Sequence, residues 1–166
     1  MRVLVAYGTK MGGTAGLAEM IAESLRRRGI EVEVRAAGPT VDPTPFDAVI
    51  VGGALYALRW HKHARRFVKR NASALLSKPV WLFSSGPLDD SAQESEIPPT
   101  KQVEGLMRLV DALGHVTFGG RLPADATGFP AKAMAKENAG DWRDPEHVDA
   151  WVSHVSEHLT RTAAHR

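Results

Sequence analysis

The 166-residue sequence contains no cysteine. This absence excludes disulfide bonds, thiolate metal sites, cysteine-bound iron–sulfur clusters and a cysteine nucleophile. No apolar run approaches the length of about 18 residues that a membrane-spanning helix requires. A strand-like run follows Met1 directly, without the basic segment, apolar segment and cleavage site of a leader. We therefore expect a soluble, cytoplasmic protein, and the length predicts a single domain over residues 1–166.

The chain also lacks a strong excess of either charge. It has 21 Lys and Arg residues against 19 Asp and Glu residues, and its sequence pI is near 9.1. The basic residues form two short runs, RRR at 26–28 and RRFVKR at 65–70. A charged run on a helix is most often its solvated face, so we predict no nucleic-acid partner.

Strand-like and helical segments alternate along the chain. The helical segments show apolar residues at helical spacing, as in Val148, Trp151, Val152, Val155 and Leu159 of a helix predicted from Pro145 to Leu159. The predicted strands are residues 2–7, 30–36, 46–53, 78–86 and 115–120. Alternation of this kind is typical of a parallel sheet with helices on both faces, because each parallel connection must cross over the sheet.

The burial pattern of these strands predicts their order. Residues 30–36, IEVEVRA, alternate apolar and charged side chains and suit a sheet edge, whereas residues 2–7 and 46–53 are almost continuously apolar. We predict an α/β, doubly wound, five-stranded parallel sheet of order 2-1-3-4-5. Ligands of such sheets bind beyond the carboxyl ends of the strands. The loops at that edge are predicted at 8–14, 53–61, 85–97 and 121–144.

The first of these loops lies in YGTKMGGTAG, residues 7–16, between a strand and a helix. Gly12 and Gly13 permit close approach, and Thr9 and Thr14 supply hydroxyl groups. The start of a helix carries unpaired N–H groups and a partial positive charge, so this loop suits a phosphate. It matches neither the P-loop nor the G-x-G-x-x-G pattern. The alternative is a tight turn whose glycines only allow packing.

The segment GTKMGGT resembles the phosphate loop of the flavodoxin family. Residues 49–75 and 141–155 resemble the flavodoxin-type, menaquinone-dependent protoporphyrinogen dehydrogenases of that family. The resemblance implies a flavodoxin-like fold with FMN as the cofactor. It assigns the FMN phosphate to Thr9, Lys10, Met11, Gly12, Gly13 and Thr14. For Lys10, a solvent-exposed loop position is the alternative.

The resemblance implies two further segments around the flavin ring. After the third strand it assigns Gly53, Ala54, Leu55 and Tyr56, where the small Gly53 and Ala54 would allow a backbone group close to the ring. After the fourth strand it assigns Ser84, Ser85, Gly86, Pro87 and Leu88. Tyr56 is a candidate for stacking on the ring. For Trp60 we predict packing in the core instead.

The remaining candidates are weaker. His61 and His63 form an H-x-H pair, but no third ligand lies nearby in the sequence, so we predict the start of a helix and no metal site. The acidic residues Asp89, Asp90, Glu94 and Glu96 are predicted to form a charged rim. No catalytic side chain is assigned. Residues 121–144 are predicted to be a long loop or insertion, and 160–166 a frayed tail.

The sequence thus predicts an FMN-binding redox protein that exchanges electrons with a soluble partner protein or a small molecule. One alternative is an FMN-dependent protoporphyrinogen IX dehydrogenase coupled to a quinone. The loop at 121–144 weighs against it, since interfacial binding requires apolar area together with basic charge and this stretch has few large apolar residues. A peripheral membrane contact is left open. A second alternative is a flavin-free, flavodoxin-like module that only binds a partner.

Overall fold

The computed structural model describes residues 1–9, 12–87, 89–122 and 140–165. Its strands are β1 (Arg2–Gly8), β2 (Glu31–Ala36), β3 (Ala48–Tyr56), β4 (Arg59–Trp60), β5 (Val80–Ser85), β6 (Gly114–Phe118), β7 (Arg121–Leu122) and β8 (Gly140–Asp141). Its helices are α1 (Gly13–Arg27), α2 (Lys62–Arg70), α3 (Ala72–Leu76), α4 (Ser91–Glu94), α5 (Lys101–Val110) and, last in the chain, α6 (Pro145–Ala164).

The main sheet has the order β2-β1-β3-β5-β6 within the described residues, and all four neighbouring pairs are parallel. Counting these five strands along the chain gives the order 2-1-3-4-5, so the predicted topology is confirmed. β2 lies at one edge, as its alternating sequence indicates, whereas β1, β3 and β5 are buried along most of their length. The parallel arrangement aligns the carboxyl ends of β1, β3 and β5 at one edge of the sheet.

The prediction of a loop after residue 53 is wrong. β3 continues through Tyr56, turns at Ala57 and Leu58, and pairs back on itself through the antiparallel strand β4. Both turn residues have left-handed backbone angles, with φ of 49° and 66°. Such a turn suits a two-residue β-hairpin, but it normally uses Asn, Asp or Gly. Ala57 and Leu58 are not typical turn residues, so the sequence did not predict this hairpin.

Two hydrophobic clusters lie on opposite faces of the sheet. One contains the apolar faces of α1 and α6, and the other contains those of α2, α3 and α5. The segment that begins at His61 forms two helices, α2 and α3, which are divided at Asn71, whose side-chain amide donates to the carbonyl of Phe67. The last helix continues past the predicted end at Leu159 to Ala164. No helix in the described part of the chain is long and apolar enough to cross a bilayer.

The predicted loop at 121–144 begins and ends in paired structure. β7 and β8 form a small antiparallel ribbon, with Arg121 opposite Asp141. Just after the ribbon, the N–H of Trp142 donates to the carbonyl of Gly120 at 2.9 Å. This ribbon packs at the carboxyl edge of the sheet. Residues 123–139 lie outside the described residues.

Candidate functional site

The turn between β1 and α1 forms the start of the candidate site. Gly12 precedes the helix with a left-handed φ of 82°, and its N–H donates to Thr9 Oγ1 at 3.2 Å. No side chain caps α1, and its first turn contains no acid among the described residues. The free end of the helix dipole therefore favours an external anion. Two residues assigned to this segment, Lys10 and Met11, lie outside the described residues.

The two glycines of this turn have different surroundings. A Cβ atom on Gly12 would have no atom of the described residues within 4 Å, apart from its own chain neighbours. A Cβ on Gly13 would lie 3.3 Å from the backbone nitrogen of Arg121 and 3.4 Å from its Cβ. Gly13 therefore allows the β7–β8 ribbon to pack on the helix start, whereas Gly12 leaves open space. The packing interpretation applies to Gly13, whereas the anion-binding interpretation of Gly12 stays a prediction.

Thr14 connects the phosphate segment to the end of β5. Its side chain is buried, and its Oγ1 donates to Ser85 Oγ at 3.2 Å. Hydroxyl protons rotate, so Ser85 can supply the proton of this bond and leave the Thr14 proton for another acceptor. Two residues that the sequence assigned to separate parts of the site are thus in direct contact.

Ser84 belongs to a second buried hydrogen-bond chain. Its Oγ accepts from Trp60 Nε1 at 3.0 Å and lies 2.9 Å from His115 Nε2. Trp60 is 1% exposed, which confirms the prediction of core packing. A Cβ on Gly53 would lie within 2.7 Å of the Trp60 ring, so Gly53 makes room for that indole. Burial lowers the pKa of His115 to about 4, and the imidazole is therefore neutral at pH 7.

The hairpin brings the other ring-segment residues to the same edge. Ala54 is buried, and its carbonyl accepts from the N–H of His61 at 2.8 Å. Leu55 packs on Gly86, where an added Cβ would lie 3.3 Å from Leu55 Cδ1. Tyr56 is exposed and meets His61 edge-on, with ring centroids 6.3 Å apart. The end of β3 and the segment after β5 are therefore neighbours.

The residues after β5 also contact the chain just before the ribbon. The carbonyl of Pro87 accepts from the N–H of Gly120 at 2.8 Å, and Gly86 donates to the carbonyl of Phe118 at 3.3 Å. Leu88 lies outside the described residues. Gln93 of α4 donates through Nε2 to the carbonyl of Trp142 at 2.7 Å. The chain on either side of the ribbon is thus hydrogen-bonded to Pro87 and Gln93, and Arg121 of the ribbon packs on the start of α1.

Two arginines of this region were missed in the sequence. The Arg143 guanidinium lies against Gly16 of α1 and forms two hydrogen bonds with Asp141, Nε to Oδ1 at 2.9 Å and Nη2 to Oδ2 at 2.7 Å. These bonds lower the pKa of Asp141, and the charge of Arg121 acts in the same direction. Two cations and one carboxylate therefore lie beside the phosphate segment. Their separation of more than 100 residues from GTKMGGT hid them from sequence inspection.

The histidine pair occupies the position that the helix-start interpretation predicted. His61 precedes α2, and its Nδ1 accepts from the N–H of His63 at 3.2 Å. No group of three or more His, Cys, Asp or Glu side chains suited to a metal ion occurs in the part of the chain that the structure describes. His61 also lies beside the end of β1, since a Cβ on Gly8 would lie 3.0 Å from its Nδ1.

These residues fit the phosphate of FMN at one point in particular. Gly12 is exposed, and the open space beside it, its left-handed backbone and the uncapped helix start give a position that can admit an anion, which we call the phosphate cradle. The ring segments lie one strand and two strands away along the same edge. The candidate phosphate segment and the two ring segments therefore lie along one edge of the sheet.

Comparisons with known proteins identify a curated relative. The chain is 28% identical over 86 residues to the protoporphyrinogen IX dehydrogenase (quinone) of Escherichia coli K12, a match covering 51% of this chain and 48% of that protein. The chain spans about half the length of the curated relatives it matches.

Solved flavodoxins share the fold at low identity. The oxidised Flavodoxin 2 of Bacillus cereus has a TM-score of 0.64 and 18% identity, covering 95% of this chain and 99% of that chain. The flavodoxin of Streptococcus pneumoniae TIGR4 has a TM-score of 0.59 and 15% identity over the same shares. A family model described as a flavodoxin domain matches residues 4–139. The chain therefore belongs to the flavodoxin-domain family.

Proposed function

We propose that the protein binds FMN and transfers electrons between this flavin and a soluble partner protein or a small molecule. The observation that carries the proposal is the empty, left-handed Gly12 position at the uncapped start of α1. An anion at that point gains the helix dipole and backbone N–H donors. The position lies at the carboxyl edge of the sheet, where doubly wound proteins bind ligands.

In this proposal the phosphate rests on Thr9, Gly12, Gly13 and Thr14, with Lys10 and Met11 completing the segment. Thr9 Oγ1 already holds the N–H of Gly12, which fixes the turn before a ligand arrives. Such preorganisation reduces the entropy lost on binding. The Thr14 hydroxyl, supported by Ser85, is the side-chain donor.

The flavin ring is proposed to lie between the hairpin and the segment after β5. Ala54, Leu55 and Tyr56 contribute from one side with Gly53 behind them, and Gly86, Pro87 and Leu88 contribute from the other. Ser84 and Ser85, at the end of β5, hold the start of this segment in place, because their hydroxyls form hydrogen bonds with Trp60 and Thr14. Bound FMN supplies one- or two-electron chemistry, and the protein's part is to hold the ring and set its surroundings.

The second candidate is an FMN-dependent protoporphyrinogen IX dehydrogenase coupled to a quinone. The match to the Escherichia coli enzyme over 86 residues supports this candidate. It predicts that the purified protein oxidises protoporphyrinogen with a menaquinone analogue as acceptor and sediments with anionic vesicles. The preferred function predicts neither result. Quinone-dependent turnover together with tight sedimentation would therefore reverse the order of the two candidates.

Purification from an FMN-producing host tests the common part of both candidates. The expected result is a yellow protein whose cofactor, released by acid, migrates with FMN in chromatography. A colourless protein that does not take up added FMN would instead favour the flavin-free module. The control is the same preparation of a Gly12→Ala variant, which is expected to retain less flavin because the added methyl group enters the phosphate cradle.

A further inference from the structure

The positive charge of the chain is concentrated in one segment. Between Asp47 and Asp89 there is no acidic residue, yet seven of the 21 Lys and Arg residues lie there. The other 14 are outnumbered by the 19 acids of the remaining sequence. The slight overall excess of positive charge therefore conceals a strong asymmetry along the chain.

Four of these cations form an exposed group, which we call the basic surface: Arg59, Lys62, Arg66 and Lys69. They lie on β4 and on the outer side of α2. Within the described residues none of the four forms an ion pair, although ion pairs occur on β2, α1 and α5. Exposed charges of one sign on one surface attract a partner of opposite charge.

The basic surface begins at the candidate cofactor site. The backbone nitrogen of Ala64 would lie 2.8 Å from a Cβ on Gly8, which places the first turn of α2 against the end of β1. The hairpin tip lies next to Arg59, and its Leu58 side chain is 74% exposed. A partner bound to the basic surface would therefore approach the edge at which FMN is proposed to bind.

We infer that this surface docks a redox protein with an acidic surface, an inference that rests on the proposed electron-transfer function. Complementary charge orients such partners and speeds their association. A membrane is the poorer fit, because interfacial binding also requires apolar area. The apolar side chains of α2, namely Ala64, Phe67 and Val68, are buried in the core and cannot enter a bilayer. Tyr56 and Leu58 alone provide exposed large apolar groups at this end of the described hairpin.

Charge reversal tests the inference. Arg66→Glu/Lys69→Glu reverses two exposed cations that form no hydrogen bond with another described side chain and lie outside the proposed cofactor site. The matched control, Arg27→Glu/Arg161→Glu, changes the net charge equally on α1 and α6, across the sheet. Arg27 forms only exposed ion pairs, which contribute little to stability. The variant Arg66→Gln/Lys69→Gln removes the two charges without reversing them. It replaces Arg66→Glu/Lys69→Glu in the test if that variant fails to fold.

The probe is a small [2Fe–2S] ferredoxin chosen for a strongly negative net charge. We expect the wild-type protein to bind it at low salt and to lose affinity as salt rises. Arg66→Glu/Lys69→Glu should lose affinity by about tenfold or more, the Gln variant by less, and the control by under about threefold. Equal loss in the test and control variants would overturn the inference, because net charge alone would then explain binding.

Two further measurements complete the test. The first measures sedimentation with phosphatidylglycerol vesicles and binding to duplex DNA. If the Arg66→Glu/Lys69→Glu variant loses either of these interactions more strongly than it loses ferredoxin binding, the inference is overturned in favour of that partner. FMN titration of every variant keeps the docking separate from the proposed function. We expect Arg66→Glu/Lys69→Glu to lose ferredoxin binding while its affinity for FMN is unchanged. Absence of FMN binding in the wild-type protein would refute the proposed function, while ferredoxin binding by the same protein would still report on the surface.

Discussion

Thr14 Oγ1 lies 3.2 Å from Ser85 Oγ and joins the phosphate segment to the strand that carries the second ring segment. We expect Thr14→Val to lower the affinity for FMN by about tenfold, because a hydrogen bond to a charged group contributes at least about that much. The affinity for riboflavin should be nearly unchanged. Thr14→Ser should restore FMN affinity. Parallel titrations of the apoproteins with both flavins measure this. Loss of stability with no change in the ratio of the two affinities would limit Thr14 to a structural role.

Gly12 and Gly29 allow a matched pair of substitutions at the two ends of α1. Their φ angles are 82° and 80°, and apart from its chain neighbours neither would have an atom of the described residues within 4 Å of an added Cβ. Gly12→Ala and Gly29→Ala should therefore each lower the unfolding free energy by about 1 to 2 kcal/mol through left-handed strain. Only Gly12→Ala should also lower the affinity for FMN, because its methyl group occupies the phosphate cradle. Equal FMN affinity in the two variants would show that the phosphate does not bind at Gly12.

Gly119 is predicted to be essential for seating the ribbon. An added Cβ there would overlap the carbonyl oxygen of Trp142, a backbone atom that cannot move aside alone. Gly119→Ala should lower the unfolding free energy by about 1 to 3 kcal/mol, as overpacking usually does. Gly105→Ala, in α5 with open space around the added methyl, should instead stabilise the protein by up to about 1 kcal/mol. Urea denaturation measures both, and a neutral Gly119→Ala would contradict the close contact.

His115 should make stability depend on pH in weakly acidic solution. Its pKa is about 4 in the folded protein because of burial, against about 6.5 when exposed. Between these values the unfolded chain binds a proton that the folded chain does not. Stability is therefore complete above about pH 6.5 and falls towards pH 4, by at most about 3 kcal/mol from this group.

Denaturation at several pH values, compared with His115→Gln, isolates this contribution. The comparison is necessary because burial lowers the pKa of His147 as well, and that group titrates in the same direction. The variant should show a shallower fall between about pH 6.5 and pH 4. The same slope in both proteins would mean that His115 is accessible to protons in the folded state.

The sequence was informative where structure depends on local pattern. The apolar run at 2–7, the glycines at 12 and 13 and the alternation at 30–36 predicted the first strand, the turn and the sheet edge. Trp60 was correctly predicted in the core. These features follow from burial and backbone freedom, which nearby residues largely determine.

The unpredicted features depend on contacts between distant residues or on unusual backbone angles. The two glycines at 52 and 53 suggested a strand end, but they make room for Phe83 and Trp60 while β3 continues. The hairpin turn at Ala57 and Leu58 lacks the usual turn residues. The contact of Arg143 with Gly16 joins segments that no local pattern connects.

The central claim is that the start of α1 binds the phosphate of FMN, and one titration of wild-type apoprotein tests it most directly. Flavin fluorescence gives the affinity for FMN and for riboflavin, which differ only in the phosphate. We predict that FMN binds at least about tenfold more tightly, a difference of about 1.4 kcal/mol or more, and that inorganic phosphate competes with FMN alone. Equal affinities for the two flavins, or no binding of either, would contradict the account.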